Sequence, residues 1–405
     1  MADVAAPSAL TLDARRQAAA ARLSSVELPA HRGIAGWEFT PIDKLDLDAF
    51  PPAPGGAAES SFGLGDAVTV SDEPAVSEGP LVMSLAAAAE QHPELVERHL
   101  GSVVTKETPF TVRNAAYWTD GAFVYIPRNM RVEAPIALTT VLQEAGTSLH
   151  WRLLVVLEEG AEASVWHEST SADDDAEGLV NGVVELVVGA NARLRFVDHQ
   201  ALGERTWVFG AQRATVDRDG WLDWITLGFG SANGKVFQET QLAGPGAHGT
   251  VTGAYASRGR QHLDFDTLQE HAAPDTTSDL AFRGILAGRA SAVWRGMIKV
   301  DEGAQRTDAF QESRNLLLSK RAHADAIPGL EILANDVRCT HAAAIAQIDK
   351  EQVFYLRSHG LSEAEAQRLV IEGFLQALVE RLQAGPVREA VGSALQRRLE
   401  QVLGG

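Results

Sequence analysis

One thiol and one imidazole stand two residues apart at Cys339 and His341, within the stretch NDVRCTHAAAIAQID. In an extended strand alternate residues face the same way, so Cys339 and His341 project from one face with Val337, while Arg338 and Thr340 take the other. Thiolate and imidazole are both competent iron ligands. The same pattern also describes a buried cysteine acting as a small hydrophobe beside a hydrogen-bonded histidine, and on spacing alone that plainer reading is favoured. Cys339 is the chain's one cysteine. No internal disulfide and no all-cysteine metal site can therefore be built from this chain alone, and any role for that sulfur is shared.

Other residues offer less. GFGSANGKV, from Gly228 to Val236, has the look of a phosphate loop but the wrong spacing: Gly230 to Gly234 leaves three residues between glycines, Gly228 to Gly234 leaves five, and Val236 cannot ligate magnesium. ATP hydrolysis by this chain is not expected. No GxSxG, HExxH or CxxC occurs, so serine hydrolase, zincin and thioredoxin chemistry lack their minimal parts. Asp264 and Asp266 alternate in HLDFDTLQEH and share a face, with His262 and His271 beside them; His167 is a further groove candidate. Surface or structural roles are the expectation for all five. The run Asp173-Asp174-Asp175 reads as a solvated turn, and His92 and His99, seven apart with Pro93 between, read as solvated helix residues rather than a metal pair.

The elements that must position these residues follow from patterning. Hydrophobic residues make up 45% and charged residues 22% of 405, an ordinary globular balance in a chain long enough for an elongated solenoid or several regions. With 35 basic and 54 acidic residues the net charge is −19, a field that repels a phosphate backbone, so nucleic acid is not an expected partner. The opening MADVAAPSALTLDARR lacks the apolar stretch of a secretory signal, and no window reaches a membrane span of about 18 apolar residues; a soluble, cytoplasmic protein is expected.

Three regions are expected. Residues 1–110 mix loops with helices over Ala14 to Leu23 and Leu81 to Leu100, separated by the linker-like PPAPGGAAESSFGLGDA. Residues 111–348 carry short alternating apolar segments cut by Gly and Asp turns, a long all-β region. A weak repeat runs through it, with turn glycines at Gly160, Gly189, Gly220 and Gly246 separated by 29, 31 and 26 residues before the register breaks. Such repetition without helices suits a parallel β-helix. A β-sandwich stays open on pattern alone, because Asn181-Gly182 and Asp219-Gly220 are hairpin signals. Residues 349–405 turn helical: Ser362 and Glu365 form a capping box, Leu369, Val370, Phe374, Leu378 and Leu382 make one stripe, and Pro386 opens a second helix with Val387, Val391, Leu395, Leu399 and Val402. Both stripes are expected to pack on the β-region.

From Glu331 the chain reads EILANDVRCTHAAAIAQIDKEQVFYLRSHGLSEAEAQRLVIEGF, which is similar to the C-terminal signature of the SufB/SufD family of the SUF iron-sulfur cluster assembly system. GWEFTPIDKL from Gly36 resembles that family's Trp-x-x-Thr-Pro segment, and QRTDAFQESRNLLLSKRAHADAIPGLEI resembles the coil before the signature. The resemblance implies a mainly β fold, a right-handed parallel β-helix flanked by N-terminal and C-terminal helical regions. It implies a non-catalytic scaffold that pairs with a B-type paralogue (SufB) through the β-helix and binds the SufC ATPase through the C-terminal helical region, so that part of the helical surface docks a partner. B-type chains resemble a pattern Tyr-Thr-Gln-Cys-Asp-Ser where this chain has Phe310-Gln-Glu-Ser-Arg-Asn315, so the D-type branch is implied. His341 is then the implied iron ligand or positioning group for a transient iron-sulfur cluster shared with SufB, with Cys339 in an accessory metal or sulfur role, no ATP bound by this chain, and flavin involvement left open. Two alternatives are a β-helix polysaccharide lyase or hydrolase with an acidic groove at Asp264, Asp266 and His262, and a metal-free adaptor that homodimerises through the same sheet edge.

Overall fold

The computed structural model describes residues 12–30, 33–53, 58–62, 79–118 and 120–404. From Asp120–Ile126 to Val337–Gln347 sixteen strands alternate between two sheets, and in each sheet every strand pairs in parallel with the strand two places on. Two consecutive strands thus make one turn of a parallel β-solenoid of about eight turns. Antiparallel strands close its N-terminal end: Ala58–Phe62 pairs with Ile136–Leu142, and Leu81–Ser84 with Asp120–Ile126.

Register dictates what is stacked. Ile136, Val165, Phe196, Trp224, Val251 and Leu280 are in-register neighbours on successive coils and all belong to one buried core. Each coil buries its inner face only by stacking on the next, which is why the alternation recurs at coil length. Strands such as Ser148–Leu157 and Gly178–Val188 read as near-continuous apolar runs because their outer faces are covered too, by the N-terminal segments packing on Leu154, Val156, Leu179 and Phe209.

One corner recurs with a left-handed residue in every coil but the last. It is filled by Asn129, Gly160, Asn191, Asp219, Gly246, Asp275 and Arg306, all at positive φ between 56° and 75°. The glycine repeat identifies two of these corners, Gly160 and Gly246; at the others the left-handed residue is Asn or Asp, which tolerate that conformation, or Arg306, so the repeat continues where glycine stops marking it. Neither hairpin signal makes a hairpin. Asn181-Gly182 lies inside strand Gly178–Val188, and Asp219-Gly220 turns the chain from Thr206–Val216 in one sheet to Trp221–Gly228 in the other.

The helical ends differ from expectation in detail. The first helix spans Leu12–Ala20, with a 3-10 turn at Leu23–Ser25. The helix expected over Leu81 to Leu100 is instead a strand, Leu81–Ser84, followed by Leu85–Gln91 and Pro93–His99; the Ser84 hydroxyl accepts from the Ala87 N–H and starts the first helix, and Pro93 starts the second. Part of the expected linker, Ala58–Phe62, is an edge strand, while residues 54–57 and 63–78 lie outside the described residues. At the other end Glu363–Val379 carries the expected Ser362/Glu365 capping box and Pro386–Leu403 begins at its proline. Both helices pack on the outer face of one sheet, against Trp166, Val197, Ile225 and Ile285. Arg398 pins the second helix there, donating to the Ala256 carbonyl at 2.9 Å and Gln261 Oε1 at 2.8 Å, with burial pulling its guanidinium down to about 10.

Candidate functional site

Cys339 and His341 lie on Val337–Gln347, the last strand of its sheet, paired on one side only with Thr307–Leu317. His341 is in register with Gln311, which is in register with Leu280, so the imidazole stands at the end of the inward-facing column that begins at Ile136. Cys339 ends the neighbouring inward column, over Ala309, Ser278, Gly249 and Leu222. Thiol and imidazole therefore share a face with Val337, and that face is the inner one, at the open mouth of the solenoid. Arg338 is on the outer face, where its Nε donates to Asp308 Oδ1 at 3.1 Å.

The two residues sit in different surroundings. Cys339 packs with Val337 against Ile298, Val300, Ala304 and Ala309, and burial, with the Asp308 carboxylate adding to it, pushes the thiol up from its ordinary value. It is a protonated thiol at neutral pH. His341 is exposed. The opposite wall of the mouth is the last strand of the second sheet, His323–Ile332, whose Leu330 and Ile332 are in register with buried Ile298 and Val300 yet are themselves exposed. Ile345, 46% exposed, and Leu333 extend this apolar rim. Among the described residues no three His, Cys, Asp or Glu side chains are gathered to hold a metal. On its inner face the mouth presents one imidazole and one thiol, two residues apart on the last strand.

Residues 140–374 match the family model described as SUF system FeS cluster assembly, SufBD core domain, and residues 59–138 match the SufBD protein N-terminal region. An iron-sulfur cluster assembly protein SufD from Bacillus subtilis (strain 168) is 31% identical over 327 residues, covering 80% of this chain and 74% of that protein. The chain belongs to the SufB/SufD family. SufBD family proteins of Staphylococcus epidermidis and Staphylococcus haemolyticus are 27% identical over 297 residues, 73% of this chain; it spans 64% of their length, less than two thirds. It is thus a SufD-like iron-sulfur cluster assembly protein of the SUF system.

A second exposed apolar surface of this SufBD chain draws on only part of an expected stripe, together with a helix that no stripe marked. Lys350–Ser358 is a helix, capped by the Asp349 carboxylate accepting from the Glu351 N–H, and it leaves Phe354 72% and Tyr355 62% exposed. The stripe expected on Glu363–Val379 divides: Leu378 and Leu382 are buried, but Leu369 is exposed and, with Val370 and Phe374, lines a groove against Tyr355, Leu356 and Leu316.

The remaining sequence candidates are structural. Asp264, 3% exposed, pairs with Lys235 at 2.8 Å and accepts from the Thr40 hydroxyl, and Lys235 also lies 3.6 Å from Asp266. The two aspartates share a face as their spacing requires, but they are not surface decoration: segment 37–45 covers them, and among the described residues they line no open acidic groove. Lys235 of the phosphate-loop lookalike is the buried cation of this cluster. His167 bonds Asp198 at 2.8 Å inside the solenoid, and His271 is buried between Thr276 and Ser278, its imidazole lowered to about 4 by burial. His99 is half-buried with its pKa lowered by burial, and His92 stands at the N-cap position of the next helix without a side-chain capping bond.

Proposed function

We propose that this chain is the D-type scaffold of a SUF assembly complex, pairing with a SufB-type paralogue through the open mouth and carrying a SufC-type ATPase on its C-terminal helices, so that a nascent cluster forms between the two solenoids. The observation that supports it most is the mouth itself: two unsatisfied strand edges frame His341 and Cys339, with an exposed apolar rim. An open edge is a template for another chain's strands. A second solenoid docked there would continue the inward columns and supply the ligands that one imidazole and one thiol leave wanting. In this role His341 offers nitrogen to iron as substrate, and Cys339 becomes a ligand only when metal displaces its proton. The Phe354, Tyr355 and Leu369 surface suits a second, helical docking site, and Arg398 ties that region to the coils.

Co-purification of tagged full-length variants with both partners tests this. Ile345→Lys puts a charge on the edge and is expected to lose the paralogue while keeping the ATPase; Phe354→Glu is expected to do the reverse. Both side chains are exposed, so melting temperatures should match wild type. Retention of both partners by both variants would overturn the assignment of these surfaces.

A further inference from the structure

The two free edges of the mouth are not equivalent. In a parallel ladder one residue turns its N–H and C=O to one neighbouring strand, and the next residue turns them the other way. The His323 and Leu333 N–H groups donate to the Ala290 and Val300 carbonyls, so along His323–Ile332 the odd-numbered residues serve the ladder and the even-numbered ones face the open edge. Pro328 is one of the latter and stands mid-strand. It has no N–H, so the row of edge donors from Ala324 to Ile332 is broken at its centre. A proline placed there closes an edge to further pairing.

The other edge is whole. The Asp308 and Leu318 N–H groups donate backward, to Thr276 and Leu286, which leaves the odd-numbered residues of Thr307–Leu317 to bond the even-numbered residues of Val337–Gln347 with the same one-residue offset. Cys339, His341, Ala343 and Ile345 therefore turn N–H and C=O to the open side, and no proline or glycine interrupts their strand. On its outer face Ala342, Ala344 and Ala346 add no bulk to hold a second chain away. Only an extended chain can satisfy such a row, because a helix has used its own main-chain groups internally.

The direction of that chain follows from the ends of the solenoid. At the N-terminal end the coil edges are taken by Ala58–Phe62 and Leu81–Ser84, so a partner of the same build offers its coil edges at its own mouth. Two such mouths meet face to face by a half-turn that lays sheet over sheet, and either such half-turn sets the facing strands antiparallel.

We propose that the paralogue is held by Val337–Gln347 alone: a strand of its own mouth pairs antiparallel with the edge from Cys339 to Ile345, while His323–Ile332 stays unpaired behind Pro328. This rests on the reading that a SufB-type paralogue binds at the mouth, and it names the strand that holds it. The pairing also orders the shared interior. Residues directly opposite in an antiparallel pair point to one face, so the partner's residues opposite Cys339 and His341 face the same interior as they do.

Amide hydrogen exchange on the full-length chain, alone and with the SufB-type paralogue, reads each edge through its own N–H groups. Binding should slow exchange at Cys339, His341, Ala343 and Ile345 by roughly tenfold or more and leave Ala324, Ala326, Leu330 and Ile332 as they are in the isolated chain. Ala343→Pro removes an edge donor without breaking a bond of the coil, as Pro328 does on the other strand. It should weaken capture of the paralogue by roughly tenfold with an unchanged melting temperature. Pro328→Ala restores the missing donor and should leave capture unchanged. Slowed exchange at Ala324 to Ile332, tighter capture by Pro328→Ala, or full capture by Ala343→Pro overturns the single-edge pairing. Protection of the four amides in the isolated chain that fades on dilution assigns the edge to a second copy and overturns the choice of partner. If wild type captures no paralogue at all, the reading of the mouth falls and this inference falls with it.

Discussion

Replacing His341 with alanine is expected to lower cluster formation by more than about tenfold while the complex still assembles. The ring is exposed and its strand neighbours from Ala342 to Ala344 are alanines, so removing it opens no cavity and breaks no packed contact. Stability should stay within about 0.5 kcal/mol of wild type. Cys339→Ala is expected to behave differently. Its sulfur packs against Ile298 and Ala309 and its proton is held by burial, so truncation should cost about 1 kcal/mol of stability with a smaller loss of clusters. Anaerobic reconstitution of the purified complex, followed by visible absorption and iron and sulfide analysis, separates the two. Wild-type cluster yield from the His341 variant would remove that residue from the chemistry.

The rim was legible because a strand's two-residue period needs no tertiary knowledge: Val337, Cys339 and His341 had to share a face. Which face could not be read from it. That depends on the stacking register, which follows corner residues, and of the seven that recur at one corner from Asn129 to Arg306 only Gly160 and Gly246 are glycines. Asn191, Asp219 and Asp275 do the same conformational work without the glycine signal. The burial of Gln311 was hidden for a related reason: it lies one coil below His341, thirty residues away in sequence, and nothing local distinguishes it from a surface glutamine. The helices were legible where caps announced them, at Ser362 and Pro386. They were misjudged at Leu81 to Ser84, where pairing with Ala122 to Tyr125 overrides helix-compatible residues.

Lys235→Met is expected to destabilise the folded chain by roughly 3–5 kcal/mol, the penalty for leaving a buried charge without its partner. Lys235 is almost wholly enclosed, with the Phe237 ring 4.9 Å and the Trp37 ring 5.8 Å from its Nζ, and it neutralises Asp264 directly and Asp266 at longer range. Burial already pushes the Asp266 carboxyl up, and Lys235 is the charge that opposes it most strongly. Without the ammonium two carboxylates face each other beneath segment 37–45, which the Thr40 bond to Asp264, the Asn233 amide on the Pro41 carbonyl and the Arg295–Glu38 pair still hold down. Denaturant midpoints give the magnitude, and amide exchange across Trp37 to Leu45 shows whether the segment lifts before the coils melt. Lys235→Met combined with Asp264→Leu should recover most of the loss, because removing both partners of a buried pair leaves no uncompensated charge between them. If the single variant costs less than about 1 kcal/mol, water already reaches the pair and the segment is not the lid that its burial implies.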